Sequence, residues 1–327
     1  MLFKCKNCGG NAVYSPEKET LYCPHCESLD SEEKISGSGM TQCVNCGAPL
    51  EPETFTSAMK CPHCGSYLIF EERVEGDYTP HLILPFKIGK EKAVEAIRKE
   101  FHKRTFVPSS FLSEASIEEM EGMYVPFFMY DYDCDAYYSA LGTKVRKWTT
   151  GETEYTETSY YQVVRDMEIS FDKVPVDASE EMPDDVMDLM EPYDYQALTA
   201  FQEKYMSGFN SEVYNFSSEE MEKRAKKKTR NDATSLLHDT LKGYTTLTQV
   251  DEQISLNLTK TNYALLPVWV YKFRYRENVY DFYVNGQTGK VIGQTPVSYP
   301  KVAGYSTTVF GITMAIGLIL KVLAEVM

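Results

Sequence analysis

The chain has 327 residues, which is enough for two domains of ordinary size. Its composition, with 43% hydrophobic and 25% charged residues, is that of a globular protein and excludes a disordered or collagen-like chain. The formal net charge of −15 also makes nucleic acid a poor default partner, because non-specific affinity for phosphates comes from Lys and Arg side chains.

The first 64 positions hold eight of the nine cysteines of the chain. These form two repeats, each with two C-x2-C pairs separated by fourteen residues, at an offset of 38 residues: Cys5, Cys8, Cys23 and Cys26, then Cys43, Cys46, Cys61 and Cys64. The opening segment MLFKCKNCGG has no apolar stretch of the kind that a secretion signal needs, so we expect a reducing compartment. In such a compartment, close cysteine pairs indicate metal binding rather than disulfides.

Each repeat supplies a complete tetrahedral ligand set for zinc, and two C-x2-C turns joined by a β-hairpin form a zinc ribbon. We therefore predict two structural Zn2+ ions, one in the first repeat (residues 1–36) and one in the second repeat (residues 37–72). Glycine follows three of the four pairs and glutamate follows the other: Gly9, Glu27, Gly47 and Gly65. His25 and His63 are alternative ligands, but four thiolates already complete each site, so we expect both imidazoles to face solvent.

The charge of the two repeats favours a protein partner over DNA or RNA, which remains the alternative. Residues 1–70 contain five bases and eight acids: Lys4, Lys6, Lys18, Lys34 and Lys60 against Glu17, Glu19, Glu27, Asp30, Glu32, Glu33, Glu51 and Glu53. Each Zn(Cys)4 centre adds about −2, so the segment carries about −7. We expect its aromatic residues to fill two miniature cores rather than to stack on bases.

After a predicted linker (residues 73–81), residues 82–301 form a predicted α+β body with an antiparallel sheet. Helical spacing and capping signals predict three helices: Lys90–Arg104, Ser179–Met206 and one that begins at the capping box of Ser217 and Glu220 and extends towards Leu241–Gly243. Segments rich in Tyr, Phe and Val predict strands: Tyr124–Leu141, Glu154–Phe171 and Leu265–Gly293, with a turn at Asn285–Gly289.

Two segments of the body resemble each other, YVPFFMYDY at 124–132 and LLPVWVYKF at 265–273. Their prolines align, and proline cannot donate to the interior of a ladder, so we expect Pro126 and Pro267 at the first residues of strands. The similarity suggests a duplicated helix-plus-sheet unit.

Sequence motifs for catalysis are incomplete. The segment before Lys290 resembles a phosphate-binding loop, but it lacks the first glycine of that motif, and Val291 replaces the required Ser or Thr. Asp131, Asp133 and Asp135 alternate along a predicted strand, which favours a solvated acidic face over a calcium site, with Cys134 on the opposite, buried face. We therefore expect no enzymatic activity.

One helix concentrates basic residues: Lys223, Arg224, Lys226, Lys227, Lys228 and Arg230. A solvated helix face is the first interpretation. Attraction to anionic lipid headgroups is the second, since each base near such a surface contributes about 1 kcal/mol.

The C-terminal segment predicts a membrane anchor at residues 302–327. Val302–Leu320 has 19 residues without a charge, and as a helix it would span about 28 Å against a hydrocarbon core of about 30 Å. Lys301 and Lys321 bracket this segment and can reach the headgroups. Because zinc thiolates need a reducing compartment, we expect a single-pass protein of the cytoplasmic membrane with its N-terminus in the cytoplasm.

Several motifs, taken together, resemble the bacterial TFIIB-type zinc ribbon-containing membrane protein family, whose members are sometimes misnamed after the primosomal helicase. After the twin C-x2-C repeats, these are LPFKI, FVPSSF, GMYVPFFMYD, YTETSYY, VPVDAS, LMEPYDYQAL, YMSGF, YALLPVWVYKF and NGQTGKVIG. The resemblance implies a cytosolic zinc-ribbon head, an α+β body and a C-terminal membrane segment. It also implies association with SPFH-type scaffold or membrane-stress proteins.

These expectations combine into a non-enzymatic adaptor that recruits a protein partner to the cytoplasmic face of the membrane. The predicted ribbons bind the partner, and membrane lipid is the second contact.

Overall fold

The computed structural model of the protein describes residues 1–37, 40–108, 120–275 and 277–326. Residues 38–39, which join the two repeats, and part of the FVPSSF motif lie outside the described residues. The cysteine repeats contain six strands: β1 (Leu2–Cys5), β2 (Val13–Ser15), β3 (Thr20–Tyr22), β4 (Glu32–Ile35), β5 (Thr56–Lys60) and β6 (Tyr67–Ile69).

The rest of the described chain mixes helices and strands, which confirms the predicted combination of α and β structure. The strands are β7 (Leu82–Ile83), β8 (Glu121–Thr150), β9 (Thr153–Asp177), β10 (Thr199–Ala200), β11 (Asn210–Glu212), β12 (Thr246–Tyr275), β13 (Asn278–Asn285) and β14 (Val291–Gly293). The α-helices are α1 (Lys90–Lys103), α2 (Asp184–Met190), α3 (Ser218–Asp239) and α4 (Tyr299–Val326).

Two of the three predicted body helices are confirmed. Helix α1 buries Ala93, Ile97 and Phe101 against the sheet, and α3 begins at the predicted capping box. The helix predicted over Ser179–Met206 is wrong, because only α2 is α-helical there. Pro192 follows α2 almost at once and ends it, since proline supplies no N–H and disfavours a helical residue before it.

Three very long strands form the centre of the body, β9, β8 and β12, in antiparallel order. The predicted strands are confirmed, but β8 and β12 each extend to 30 residues, about 100 Å of extended chain. Thr143 is the last residue of β8 that pairs with β12. From Lys144 onwards β8 pairs, among the described strands, with β9 alone, and we call this end of the β8–β9 hairpin, residues 144–161, the fingertip.

Helices cover both faces of the sheet near its centre. On one face, α1 packs on β13, where Phe101 meets Phe282 edge to face, and α3 packs on β8 with a straight stripe of one buried residue per turn: Ala225, Thr229, Ala233 and Leu237. On the other face, Met187 and Met190 of α2 pack on Val125 and Phe127. The stripe of small residues lets α3 lie close along the sheet.

The two aligned prolines lie inside strands, so their prediction as first residues is wrong. The carbonyl of Pro126 accepts from the N–H of Ala178, one residue beyond the end of β9, at 2.9 Å. The carbonyl of Pro267 accepts from the N–H of Gly286, one residue beyond β13, also at 2.9 Å. Each proline therefore lies where the neighbouring strand has ended, and its missing N–H removes no ladder bond. The duplication itself stays a prediction.

The cysteine repeats are joined to the body by backbone hydrogen bonds. In the main sheet the strand order is β10-β7-β12-β8-β11-β5-β6, so the hairpin of the second repeat is part of that sheet. The first repeat forms its own two-stranded sheets, but Phe3 and Tyr14 lie in the main core. The expected miniature core is therefore wrong for the first repeat, whereas the second repeat forms most of a small separate cluster that includes Leu50, Leu68 and Phe70. The domain boundaries stay predictions.

Candidate metal centre

The eight predicted cysteines come together as two groups of four, and in each group all sulfurs lie within 4.8 Å of one another. The closest sulfur pairs are Cys5–Cys26 at 3.6 Å, Cys8–Cys23 at 3.5 Å, Cys43–Cys64 at 3.7 Å and Cys46–Cys61 at 4.0 Å. A tetrahedral ion with metal–sulfur bonds of about 2.3 Å, the length for zinc, needs sulfurs about 3.8 Å apart. Both groups therefore have the spacing of a metal centre.

Four equivalent turns position the sulfurs. After each C-x2-C pair, the next residue donates its N–H to the carbonyl of the first cysteine at 2.8–2.9 Å. That residue is left-handed in every turn: Gly9 (φ 72°), Glu27 (φ 61°), Gly47 (φ 71°) and Gly65 (φ 72°). The conformation suits glycine and costs other residues about 1–2 kcal/mol, so the turn at Glu27 is strained.

Hydrogen-bond donors favour the thiolate at Cys5 and Cys64. At two other sulfurs the pKa rises: at Cys8 the Gly10 N–H lowers the pKa, but hydrogen bonds with neighbouring sulfurs raise it to about 12, and burial raises the pKa of Cys43 to about 12. Burial by itself raises the pKa of the Cys5 thiol. The N–H groups of Cys8 and Asn7, together with the other hydrogen bonds to this sulfur, outweigh the effect of burial and lower the pKa to about 6. In the second repeat, burial likewise raises the pKa of Cys64, and Ser66 and Asn45 together lower it to about 6. Thiolates are the protonation state that a metal ion needs.

An Asn–Ser hydrogen bond supports each group and was missed by the sequence analysis. Asn7 Nδ2 donates to Ser28 Oγ at 2.9 Å, and Asn45 Nδ2 donates to Ser66 Oγ at 2.9 Å. Asn7 and Asn45 are 38 residues apart, as are Ser28 and Ser66. The sequence repeat therefore already indicated that these residues belong to the two cysteine sites. The two histidines considered as alternative ligands, His25 and His63, lie outside the four-cysteine groups, and both are exposed.

Among the described residues, three of the six bases in the basic cluster of α3 form ion pairs within the protein, Arg224, Lys226 and Lys228. Arg224 contacts Asp177 and Asp184 at 2.8 Å and Asp188 at 3.0 Å. Lys228 pairs with Glu191. Burial raises the pKa of Asp177 to about 7, and the charge of Arg224 opposes this rise. Arg224 and Lys228 thus hold α3 to α2 and β9, which neither interpretation anticipated. The other four bases are exposed, as the interpretation of a solvated helix face expects.

The acidic face of β8 agrees with its first interpretation. Asp133 and Asp135 are exposed, and Cys134 is buried on the opposite face. Asp131 accepts from the N–H of Lys173 at 2.7 Å. Among the described residues, the groups with the spacing of a metal site are the two cysteine quartets.

The fingertip presents aromatic and basic side chains that the sequence analysis did not single out. Trp148 stacks on Tyr155 with ring centroids 5.5 Å apart and planes 11° apart. Arg146 lies 5.6 Å from the Trp148 ring, and Lys144 lies 5.3 Å from the ring of Tyr161. The three rings are 41–45% exposed, a large aromatic surface for two strands without a helix over them.

Comparison with known proteins identifies a relative. The chain is 39% identical over 320 residues to the uncharacterized protein YdjG of Bacillus subtilis (strain 168), and the alignment covers 94% of both chains. The chain belongs to the YdjG family. No protein-family model and no solved structure matches it. In this YdjG-family chain, each cysteine group is closed by four sulfurs, so a bound ion would stabilise structure and would lack an open position for substrate.

Proposed function

We propose that the protein is a zinc-stabilised, membrane-anchored adaptor without enzymatic activity. The four-sulfur groups favour zinc because soft thiolates in a tetrahedral arrangement are its preferred structural ligands. This assignment agrees with the TFIIB-type zinc ribbon family that the motifs resemble. Metal analysis of protein purified under reducing conditions tests it, and we expect two zinc ions per chain.

The observation that carries the anchor is the surface of α4. Tyr299–Ala324 is long and apolar enough to cross a membrane, and none of its most apolar 18-residue window is buried. Nineteen uncharged residues left in water would be unfavourable, whereas lipid would cover them. We propose a single pass through the cytoplasmic membrane, with the N-terminus in the cytoplasm, where the thiolates stay reduced.

Removal of residues 302–327 tests this anchor. We expect the truncated protein to leave carbonate-washed membranes while the full-length protein stays, with the zinc content unchanged. Retention of both proteins in the membrane fraction would mean that anchoring lies elsewhere.

A protein partner is the second part of the proposal, and its class is the SPFH-type or membrane-stress scaffold that the family resemblance implies. The exposed aromatic rings of the fingertip support a binding role, since Trp and Tyr are enriched at protein interfaces. A nucleic-acid partner is the alternative function. The stacked Trp148 and Tyr155 with Arg146 favour it, because single-stranded nucleic acids stack on aromatic rings beside basic groups.

Affinity purification from crosslinked membranes separates the two functions. We expect the intact protein to retain a defined protein partner that the Trp148→Ala/Tyr155→Ala variant loses. Tyr137→Ala removes an exposed ring of β8 outside the fingertip and is the matched control. A titration with single-stranded RNA and DNA at physiological salt is the counter-test. A micromolar complex that weakens steeply with salt would favour nucleic acid.

A further inference from the structure

The base of α4 is fixed to the segment that follows α1. Ser298 N–H donates to the carbonyl of Phe106 at 2.8 Å, and Lys301 Nζ donates to the carbonyl of Val107 at 2.7 Å. The ring of Phe106 also meets the ring of Tyr305 edge to face, with centroids 5.5 Å apart. These three contacts hold the end of α1 beside the first two turns of α4.

This attachment determines which surface of the body faces the lipid. If α4 spans the membrane, as proposed above, Tyr305 lies at the boundary between headgroups and hydrocarbon, where tyrosine is enriched. Phe106 then lies at the same depth, and α1 ends only three residues earlier, at Lys103. Lys103 is therefore at most about 10 Å of chain from Phe106, and Arg98 lies about 7.5 Å further along α1. At these distances the charges of the last two turns are close enough to feel the field of the headgroups, which decays over about 10 Å.

Bases concentrate in these two turns. The exposed side chains are Arg98, Lys99, His102 and Lys103, with Arg104 half-buried behind them. Glu100 is the acid of this segment and pairs with Lys103 at 3.1 Å and with Arg104 at 3.6 Å. Among the described residues, Arg98 and Lys99 have no ion pair. In the first turns of α1 the exposed Glu91 and Glu95 balance the exposed Lys92 and the half-buried Lys90, so the net positive charge of the helix lies at the end beside α4.

We propose that the C-terminal end of α1 binds the anionic headgroups of lipids around the anchor, through Arg98, Lys99 and Lys103. This inference rests on the proposed anchor. In a chain with a net charge of −15, the rest of the surface is on average repelled by an anionic leaflet, so a local basic surface orients the body. Each base near the leaflet raises lipid affinity by about fivefold.

The basic helix α3 is the less suitable lipid surface. Two of its bases, Arg224 and Lys228, are partly buried in ion pairs with acids of α2, β9 and the residue after α2. Lys223 and Lys227 are exposed without an ion pair among the described residues, but no contact places them beside α4. Charge reversal at Lys223 and Lys227 is therefore a control for charge reversal on α1, because it changes the same charge on a surface that no contact places next to α4.

The test uses the full-length protein in lipid nanodiscs, with phosphatidylcholine alone or mixed with phosphatidylserine. The readout is hydrogen–deuterium exchange of the backbone amides of residues 98–106. We expect exchange of these amides to slow by about tenfold when phosphatidylserine is present, and high salt to abolish the difference. Arg98→Glu/Lys99→Glu should lose the effect, whereas Lys223→Glu/Lys227→Glu should keep it.

The outcomes separate this inference from the anchor. Equal exchange in both lipids, or an effect that survives Arg98→Glu/Lys99→Glu, would overturn the lipid surface while leaving the anchor intact. An effect lost in Lys223→Glu/Lys227→Glu would move the lipid contact to α3 and also overturn it. A full-length protein that carbonate extracts from membranes would overturn the anchor and the lipid surface together. Unchanged zinc content and exchange elsewhere establish that the variants are folded.

Discussion

The two cysteine repeats have the same ligands and the same turns, yet they join the body in different ways. The second repeat adds its hairpin to the main sheet, since Ala58 of β5 pairs with Ser211 of β11 and β11 pairs with β8. The first repeat docks by side chains and a few backbone bonds, such as Tyr14 N–H to the Ser207 carbonyl at 2.7 Å. One sequence pattern therefore fixes a metal centre but leaves open how tightly that centre is coupled to its neighbours.

Loss of the metal ligands should give the largest difference between the repeats. Structural zinc contributes about 10–16 kcal/mol of apparent binding energy in finger peptides, so removing two ligands should unfold the affected repeat. We expect Cys43→Ser/Cys61→Ser to speed amide exchange in β11 and at the start of β8 as well. The matched variant Cys5→Ser/Cys23→Ser should leave those strands protected. Mass spectrometry of exchange, with zinc analysis, measures both effects.

Equal exchange in β11 and β8 for the two variants would contradict the coupling that sheet pairing implies. Faster exchange in β11 and β8 for the second-repeat variant alone would show that loss of its metal affects the chain beyond residues 1–70. Pairing of β5 with β11 makes part of the body dependent on the second repeat.

Sequence reasoning succeeds where chemistry and spacing are local. Both four-cysteine groups follow from residue type and the fourteen-residue spacing, and α3 follows from the local capping box at Ser217. The pairing of Ala58 with Ser211 joins residues far apart in sequence, and no local pattern encodes such a partner. The exposure of Trp148 depends likewise on where β12 and α3 end relative to β8.

Docking of the first repeat should depend on one buried ring. Tyr14 is 5% exposed and meets Tyr205 edge to face at 5.1 Å. We expect Tyr14→Ala to lower the free energy of unfolding by about 3–5 kcal/mol, the usual range for an aromatic residue lost from a core. Tyr22→Ala, in the same hairpin, removes a half-buried ring and should cost much less. Urea denaturation measures both, and equal losses would mean that Tyr14 does not hold the repeat to the body.

The link between the second repeat and the body should depend on pH through Glu212 of β11. Burial raises the pKa of this carboxyl to about 8, and the nearby Glu181 adds to the rise. The Ser179 hydroxyl, which donates to the carboxylate at 2.7 Å, lowers the pKa and so opposes the rise. The folded state therefore holds an extra proton between about pH 4.5 and 8, and stability should fall as pH rises through that window.

Glu212→Gln should remove most of this dependence, because the amide stays neutral at every pH. We expect the variant to be more stable than the wild type at pH 8, by on the order of a few kcal/mol, and to differ little at pH 5. Denaturant titrations at the two pH values measure the change. Parallel pH profiles for both proteins would show that Glu212 does not titrate in this range.

The smallest effect concerns the one turn in which the two repeats differ. Glu27 occupies the left-handed position (φ 61°) that Gly65 fills in the second repeat (φ 72°). Glu27→Gly should therefore stabilise the first repeat by about 1 kcal/mol, because the strain of a side chain in this conformation is relieved. The reverse change, Gly65→Ala, should destabilise the second repeat by a similar amount. A Cβ at Gly65 would lie 3.8 Å from Lys60 Cε, an ordinary contact, so only the left-handed backbone conformation opposes the substitution.

Competition with a zinc chelator measures how tightly each of the two variants, Glu27→Gly and Gly65→Ala, holds its metal. Glu27→Gly should retain zinc longer and Gly65→Ala should release it sooner, and the opposite order would show that the glutamate side chain itself stabilises its turn.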